Sequence, residues 1–114
     1  MSDCLFCRIA AGELPAKIVH QDEEIVAFHD VNPQAPTHIL VIPKEHVPTL
    51  LDTDESRTAL LGRLQLAAVE IARQEGLDQD GFRLVTNCLE GAGQSVFHLH
   101  LHLLGGRPLG WPPG

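Results

Sequence analysis

The run His98-Leu99-His100-Leu101-His102-Leu103-Leu104 sets three imidazoles at every second position, with leucines between and after them. In an extended strand the side chains alternate faces at a rise of roughly 3.3 Å per residue, which predicts three histidines on one face, about 6–7 Å apart, and leucines turned into a core. Three imidazoles in register interrupt the apolar alternation of a buried strand, and stability alone does not explain them. Imidazole titrates near a pKa of about 6.5, so at neutral pH it can act as a free-base nucleophile toward phosphorus or as a general acid. A nucleophilic histidine needs its far nitrogen held as N–H by an acceptor, and the middle position has an imidazole or a carbonyl on each side. His100 is therefore the expected nucleophile.

Just upstream, Gly91-Ala92-Gly93-Gln94-Ser95 is a small-residue loop that can bring backbone N–H groups close to an anion. In-line attack needs pre-placed atoms and donors that strengthen as charge redistributes on the phosphoryl oxygens. The Gly93 N–H, Gln94, Ser95, Asn87 and His102 are the expected donors, and Ser95 can also guide a proton to a leaving amine. By themselves Asn87 and Ser95 suit ordinary turn hydrogen bonds equally well. Three histidines around one catalytic zinc are a poorer reading, because they span roughly 13 Å of strand while zinc–nitrogen bonds are about 2.0–2.1 Å.

Cys4, Cys7 and Cys88 are an odd number of thiols, which fits a reducing compartment better than a disulfide framework. Cys4-x-x-Cys7 is either half a metal site or a redox pair, and its place at the extreme N-terminus favours metal. A tetrahedral structural zinc needs two more ligands, for which His46 and His98 are candidates; two plain buried thiols are the alternative. His20 and His29 show no evident partner and read as ordinary surface or strand residues.

The chain of 114 residues, 44% hydrophobic, suits one compact domain over residues 1–114. A net charge of -7 with only 8 Lys and Arg argues against binding a nucleic-acid polymer. The opening residues carry no basic, apolar leader and no apolar run approaches the roughly 18–20 residues that span a bilayer, so no membrane partner and a soluble, cytoplasmic protein are expected.

Arg8 to Ala11 suggests a short helix stopped by Gly12. Strands are predicted at Ile18 to His20, Glu24 to His29, His38 to Ile42 (ended by Pro43), Phe82 to Asn87 and Phe97 to Leu104. Leu60, Leu61, Leu64, Ala67, Ala68 and Ile71 recur at helical spacing and predict a helix of about five turns. Asp52 with Glu55 resembles its capping box, Asp54 or Ser56 being alternative caps, and Gly76 is its expected terminator. Gly62 inside that helix suggests a close helix crossing or a dimer contact. The order β-β-β-α-β-β with one long helix predicts an α+β fold with an antiparallel meander. The tail, residues 105–114, holds the single tryptophan, Trp111, where an ordering partner such as a second subunit would account for it.

The motif His-φ-His-φ-His-φ-φ, with φ hydrophobic, resembles that of the histidine triad (HIT) superfamily. The extended segments Asp3 to Ile9, Ala27 to His38, Val41 to His46, Gly93 to Phe97 and Trp111-Pro112-Pro113-Gly114 resemble its Hint-like purine nucleoside phosphoramidase branch over nearly the whole chain. The resemblance implies a five-stranded antiparallel sheet with one long and one short N-terminal helix, dimerising into a continuous ten-stranded sheet, with the tail reaching the partner subunit. It implies that His100 attacks the α-phosphorus of a purine nucleoside 5′-phosphoramidate (adenosine or guanosine, AMP-lysine-like compounds included), releasing the amine and leaving a nucleotidyl-histidine that water hydrolyses. By the same resemblance Asp30 binds the ribose hydroxyls with Val31 beside it. Leu5, Phe6, Ile9, Phe28 and Leu40 form the purine slot, while Asn87, Gly93, Gln94, Ser95 and His102 surround the phosphate. His38 supports the nucleophile through a hydrogen-bond relay, Trp111 stands near the leaving group of the other subunit's site, and zinc is held by Cys4, Cys7, His46 and His98. Two other functions suit the same residues: a dinucleotide polyphosphate hydrolase or nucleotidyl transferase, and a zinc-containing nucleotide-binding interaction module.

Overall fold

A computed structural model describes residues 3–114. Five antiparallel strands, β1 (Ile18–Gln21), β2 (Ile25–His29), β3 (Thr37–Pro43), β4 (Phe82–Val85) and β5 (Leu101–Gly105), form one sheet in the order β1-β2-β3-β5-β4. Among the described residues two α-helices accompany it, α1 (Leu5–Ala10) and α2 (Thr58–Gln74). The expected α+β class and the β-β-β-α-β-β order are therefore present. The meander is not complete: β1 to β3 follow one another, but the chain then crosses over through α2 and returns so that β5, not β4, pairs with β3. Among the described residues no helix is long and apolar enough to cross a membrane.

The unbroken apolar runs of β2 and β3 reflect a sheet covered on both faces. Ile25, Ala27, Ile39 and Val41 pack with Leu60, Leu64, Ala68 and Ile71 of α2, while Val26, Phe28, Leu40 and Ile42 pack with Phe6 and Ile9 of α1. Leu99, Leu101 and Leu103 join the α2 side, so the leucines of the triad run point into a core as their alternation requires.

Local chemistry moved several boundaries. The Cys4 sulfur accepts the Cys7 N–H and caps α1, which therefore begins before Arg8; it stops at Gly12, whose φ is 78°. The capping box belongs to Thr49 and Asp52 and closes a 3₁₀ turn at Leu50–Asp52, Asp54 caps the next turn at Glu55–Arg57, and α2 proper starts only at Thr58. Gly76, with φ 76°, follows its C-cap as expected. Among the described residues nothing lies within 4 Å of a Cβ added at Gly62, so no helix of the chain itself crosses closely there. His20 does have a partner, Asp22, at 2.8 Å.

The largest departure is β5, which begins at Leu101 and not at Phe97. Pro43 at the end of β3 has no N–H for a ladder bond and its carbonyl is taken by the His98 ring, while the Leu99 N–H goes to the Val47 carbonyl at 2.6 Å. The ladder between β3 and β5 thus ends at Val41 and Leu101, and His98 and His100 sit on a segment free to aim its side chains.

Candidate functional site

Cys4 and Cys7 come within one turn of α1, His46 follows β3 and His98 precedes β5, so the two ends of the chain's polar constellation meet across the sheet. His98 Nδ1 lies 3.3 Å from Cys4 Sγ, 3.4 Å from Cys7 Sγ and 3.3 Å from His46 Nδ1, and His46 Nδ1 lies 3.2 Å from Cys7 Sγ. A tetrahedral ion with bonds of about 2.0–2.3 Å separates its ligand atoms by roughly 3.3–3.8 Å, close to this spacing. The His98 ring is fully buried and donates its Nε2–H to the Pro43 carbonyl at 2.7 Å, which leaves the Nδ1 lone pair facing the sulfurs. Two thiol sulfurs and two imidazole nitrogens so arranged fit a structural zinc, with the four residues singled out in the sequence.

The same backbone positions the second histidine. His100 Nδ1 donates to the carbonyl of His98 at 2.7 Å, so its lone pair is on Nε2. Phe6 stands edge-on to this ring at 5.1 Å and to Phe28 at 5.5 Å, which places His100 beside an apolar wall. His102 lies 4.9 Å from His100 between ring centres, closer than the pleat alone predicts because the segment before Leu101 has left the ladder.

His38 on β3 completes the cluster, although it touches His102 and not His100. The Gln34 N–H donates to His38 Nδ1 at 3.0 Å, so the proton of the neutral ring is on Nε2, 2.8 Å from His102 Nδ1 and 3.4 Å from Asp30 Oδ2. His102 Nδ1 must accept, and its own proton is on Nε2. Asp30, His38 and His102 also have the spacing of a metal group, but the tautomer argues against it: the His38 nitrogen nearest the other two carries a hydrogen, held there by Gln34. Burial holds His38, His98, His100 and His102 below the ordinary histidine value, and for His102 the neighbouring His100 and His38 add to the effect and bring it to about 4. All four rings are neutral at pH 7.

These groups open onto a cleft of about 1080 Å³. Leu5, Phe6, Ile9, Phe28 and Leu40 line its apolar part; Asp30, Val31, His38, Ser95, His100 and His102 line the rest. Asp30 Oδ1 accepts the Asn32 N–H at 2.8 Å, which steadies the carboxylate at the wall. The wall also includes Leu14, Pro15, Ala16, Lys17, His29, Pro33, Pro36 and Val96, which sequence reasoning passed over. His29 could have been found from its place at the end of an apolar strand next to Asp30; the others carry no signal of their own.

Several expected ligands hold bonds of their own or stand outside this chain's cleft wall. The Gly93 N–H bonds to the Glu90 carbonyl at 2.9 Å. The Gln94 amide is buried, accepting from the Leu89 N–H and donating to the carbonyls of Pro48 and Val96. In this chain both therefore shape the loop that presents Ser95, because their donors are already occupied. Asn87 is half-buried beside Gly93, outside the cleft wall. Trp111 is 82% exposed, with the Arg83 guanidinium 5.9 Å from its ring, and is not part of its own chain's cleft.

A model of the HIT domain matches residues 11–109. Over 108 residues, 95% of this chain and 91% of the relative, the sequence is 48% identical to the purine nucleoside phosphoramidase of Escherichia coli strain K12. The fold superposes with a TM-score of 0.97 and 52% identity on a HIT family hydrolase from Legionella pneumophila Philadelphia 1, covering 98% of this chain and 100% of that one. A Zn-bound histidine triad family protein from Mycobacterium smegmatis superposes with a TM-score of 0.79 and 36% identity, covering 92% of this chain and 76% of that one. The alternating histidines, the cleft that His100 and His102 face and these likenesses lead to one conclusion: the chain belongs to the HIT domain family.

Proposed function

We propose that this protein hydrolyses the P–N bond of purine nucleoside 5′-phosphoramidates through a nucleotidyl-histidine on His100. The observation that carries this reading is the His100 tautomer: a neutral ring with Nδ1–H fixed on a carbonyl and the Nε2 lone pair beside a cleft wide enough for a nucleoside monophosphate. The 48% identity to a purine nucleoside phosphoramidase supports it. The base would lie between Phe6, Phe28, Leu5, Ile9 and Leu40, and the ribose hydroxyls would donate to Asp30, with Val31 at the mouth.

In the first step His100 Nε2 bonds to phosphorus as the P–N bond breaks; the amine leaves with the bonding pair and takes a proton that the Ser95 hydroxyl at the cleft wall relays from solvent. His100 then carries a positive charge, which the His98 carbonyl stabilises through Nδ1–H. His102 Nε2–H donates to a phosphoryl oxygen, held to that role by His38. In the second step water attacks phosphorus and sheds a proton to solvent, the Nε2–P bond breaks with its electron pair returning to His100, and the monophosphate departs. Among the described residues Lys17 is the only Lys or Arg on the cleft wall, which suits one phosphoryl group better than the run of charges on a dinucleotide polyphosphate.

Cys4, Cys7, His46 and His98 would hold zinc, which when bound ties the N-terminus to the sheet without entering the chemistry. Two copies would join edge to edge into a ten-stranded sheet: β4 is an edge strand, and Phe82, Leu66 and Trp111 stand exposed as large apolar groups. The tail, with Trp111, would then reach the leaving-group side of the partner's cleft.

With adenosine 5′-phosphoramidate the protein should release AMP, and a rapid-quench intact mass should show one adenylyl group on His100; His100→Ala should lose at least ~10⁴-fold in kcat, and wild-type turnover in that variant would end the assignment. Sedimentation equilibrium should give twice the chain mass, and a single-chain mass at micromolar concentration would remove the shared sheet. Metal analysis should find one zinc per chain, with Cys4→Ser losing it and melting lower by roughly 5 °C or more, while chelator treatment leaves the phosphoryl chemistry measurable. For His102 the folded value of about 4 lies below the unfolded one of 6.5, so the unfolded chain binds more protons between them. Stability should therefore be full above pH 6.5 and decline as pH falls toward 4; denaturant titrations should show a flatter decline for His102→Asn.

A further inference from the structure

Arg107 is exposed and lies just past β5, outside the cleft wall. Gly106, at φ 93°, turns the chain there, and an added Cβ would come 2.8 Å from Pro36 Cβ and 3.5 Å from the Thr37 nitrogen, so this backbone is seated against the turn before β3. From that seat Arg107 reaches back over the turn. Its Nη2 donates to the Gln34 carbonyl at 2.9 Å, while Nη1 donates to the Pro108 carbonyl at 3.0 Å. The turn itself is braced from inside by the Asn32 N–H on Asp30 Oδ1 and by Gln34 Nε2 on the Asn32 carbonyl, and it lies outside the sheet ladder.

Gln34 is also the residue whose N–H decides the tautomer of His38. If that N–H moves off, His38 can carry its proton on Nδ1, and its Nε2 becomes an acceptor facing His102 Nδ1. His102 then has to place its own proton on Nδ1 to keep the 2.8 Å contact, and its Nε2 loses the hydrogen that the cleft would use. One displaced backbone donor therefore lets both rings reverse, against the pull of Asp30 Oδ2, 3.4 Å from His38 Nε2.

We propose that Arg107 is a positioning residue: by clasping the Gln34 carbonyl it holds the Gln34 N–H on His38, and through His38 keeps the His102 proton on the nitrogen available to a phosphoryl group. The kinetic consequence rests on the phosphoramidase reading; the tautomer consequence does not.

The test is long-range ¹H–¹⁵N correlation of the full-length, histidine-labelled protein at pH 7.5, alongside kcat and KM for adenosine 5′-phosphoramidate. Wild type should show Nε2–H on both His38 and His102. Arg107→Ala should shift both toward Nδ1–H and lower kcat about 10-fold with KM within about 2-fold, since the lost donor acts on the transition state. Arg107→Lys, which can give one bond to the Gln34 carbonyl, should restore most of both. Unchanged tautomers in Arg107→Ala overturn the proposal whatever happens to kcat. Shifted tautomers in a protein whose wild type releases no AMP would retire the proposed function and leave the role of Arg107 standing.

Discussion

The hydrogen bond from His98 Nε2–H to the Pro43 carbonyl, 2.7 Å long and fully buried at the ring, is the constraint on which the rest depends. Pro43 closes β3 with a carbonyl but no donor, so the neighbouring chain cannot continue the ladder and must satisfy that oxygen by other means. The His98 ring does so, and its Nδ1 is thereby turned toward Cys4, Cys7 and His46. The carbonyl of the same residue then receives His100 Nδ1. One residue thus orients a ligand set with its ring and a nucleophile with its backbone. Moving His98 would disturb both.

A second chain of bonds runs from the other side. The Gln34 N–H, His38 and His102 form a sequence of donor to acceptor in which every proton has one place. The two chains meet where His100 and His102 lie 4.9 Å apart. Rings so close and so buried are poorly placed to carry charge: desolvation depresses the proton affinity of both, His100 and His38 add to it at His102, and the His98 carbonyl at His100 and Asp30 at both rings offset this only in part. The neutrality that burial imposes is the state a lone-pair donor needs, so the fold's electrostatic cost and the proposed chemistry point the same way.

Much of this was legible in the chain. The strands β2 and β3 follow from short unbroken apolar runs, and the amphipathic helix α2 and the inward leucines from periodicities of 3.6 and 2, all of them local features of the chain. Cys4, Cys7, His46 and His98 were separable as a group by residue type, and they do converge. The errors share a cause. The start of α1, the capping box at Thr49 and Asp52 and the late start of β5 each depend on which acceptor a backbone N–H finds, and that acceptor is not visible from spacing. Gly93 and Gln94 carry residue types suited to phosphate, and the structure adds what spacing does not show, that they bond to Glu90, Leu89, Val96 and the distant Pro48.

By itself the sequence determined which residue types are available and which face each occupies: three imidazoles opposite three leucines, a Cys-x-x-Cys at one end, an apolar stripe for one long helix. It could do so because side-chain direction along a strand or helix is a local property of the backbone. Only the tertiary structure decided which nitrogen of each histidine holds the proton. Those assignments come from Pro43 for His98, from His98 for His100 and from Gln34 for His38, partners 55, 2 and 4 residues away. A tautomer is set by the group it faces, and facing groups exist only once the chain has folded.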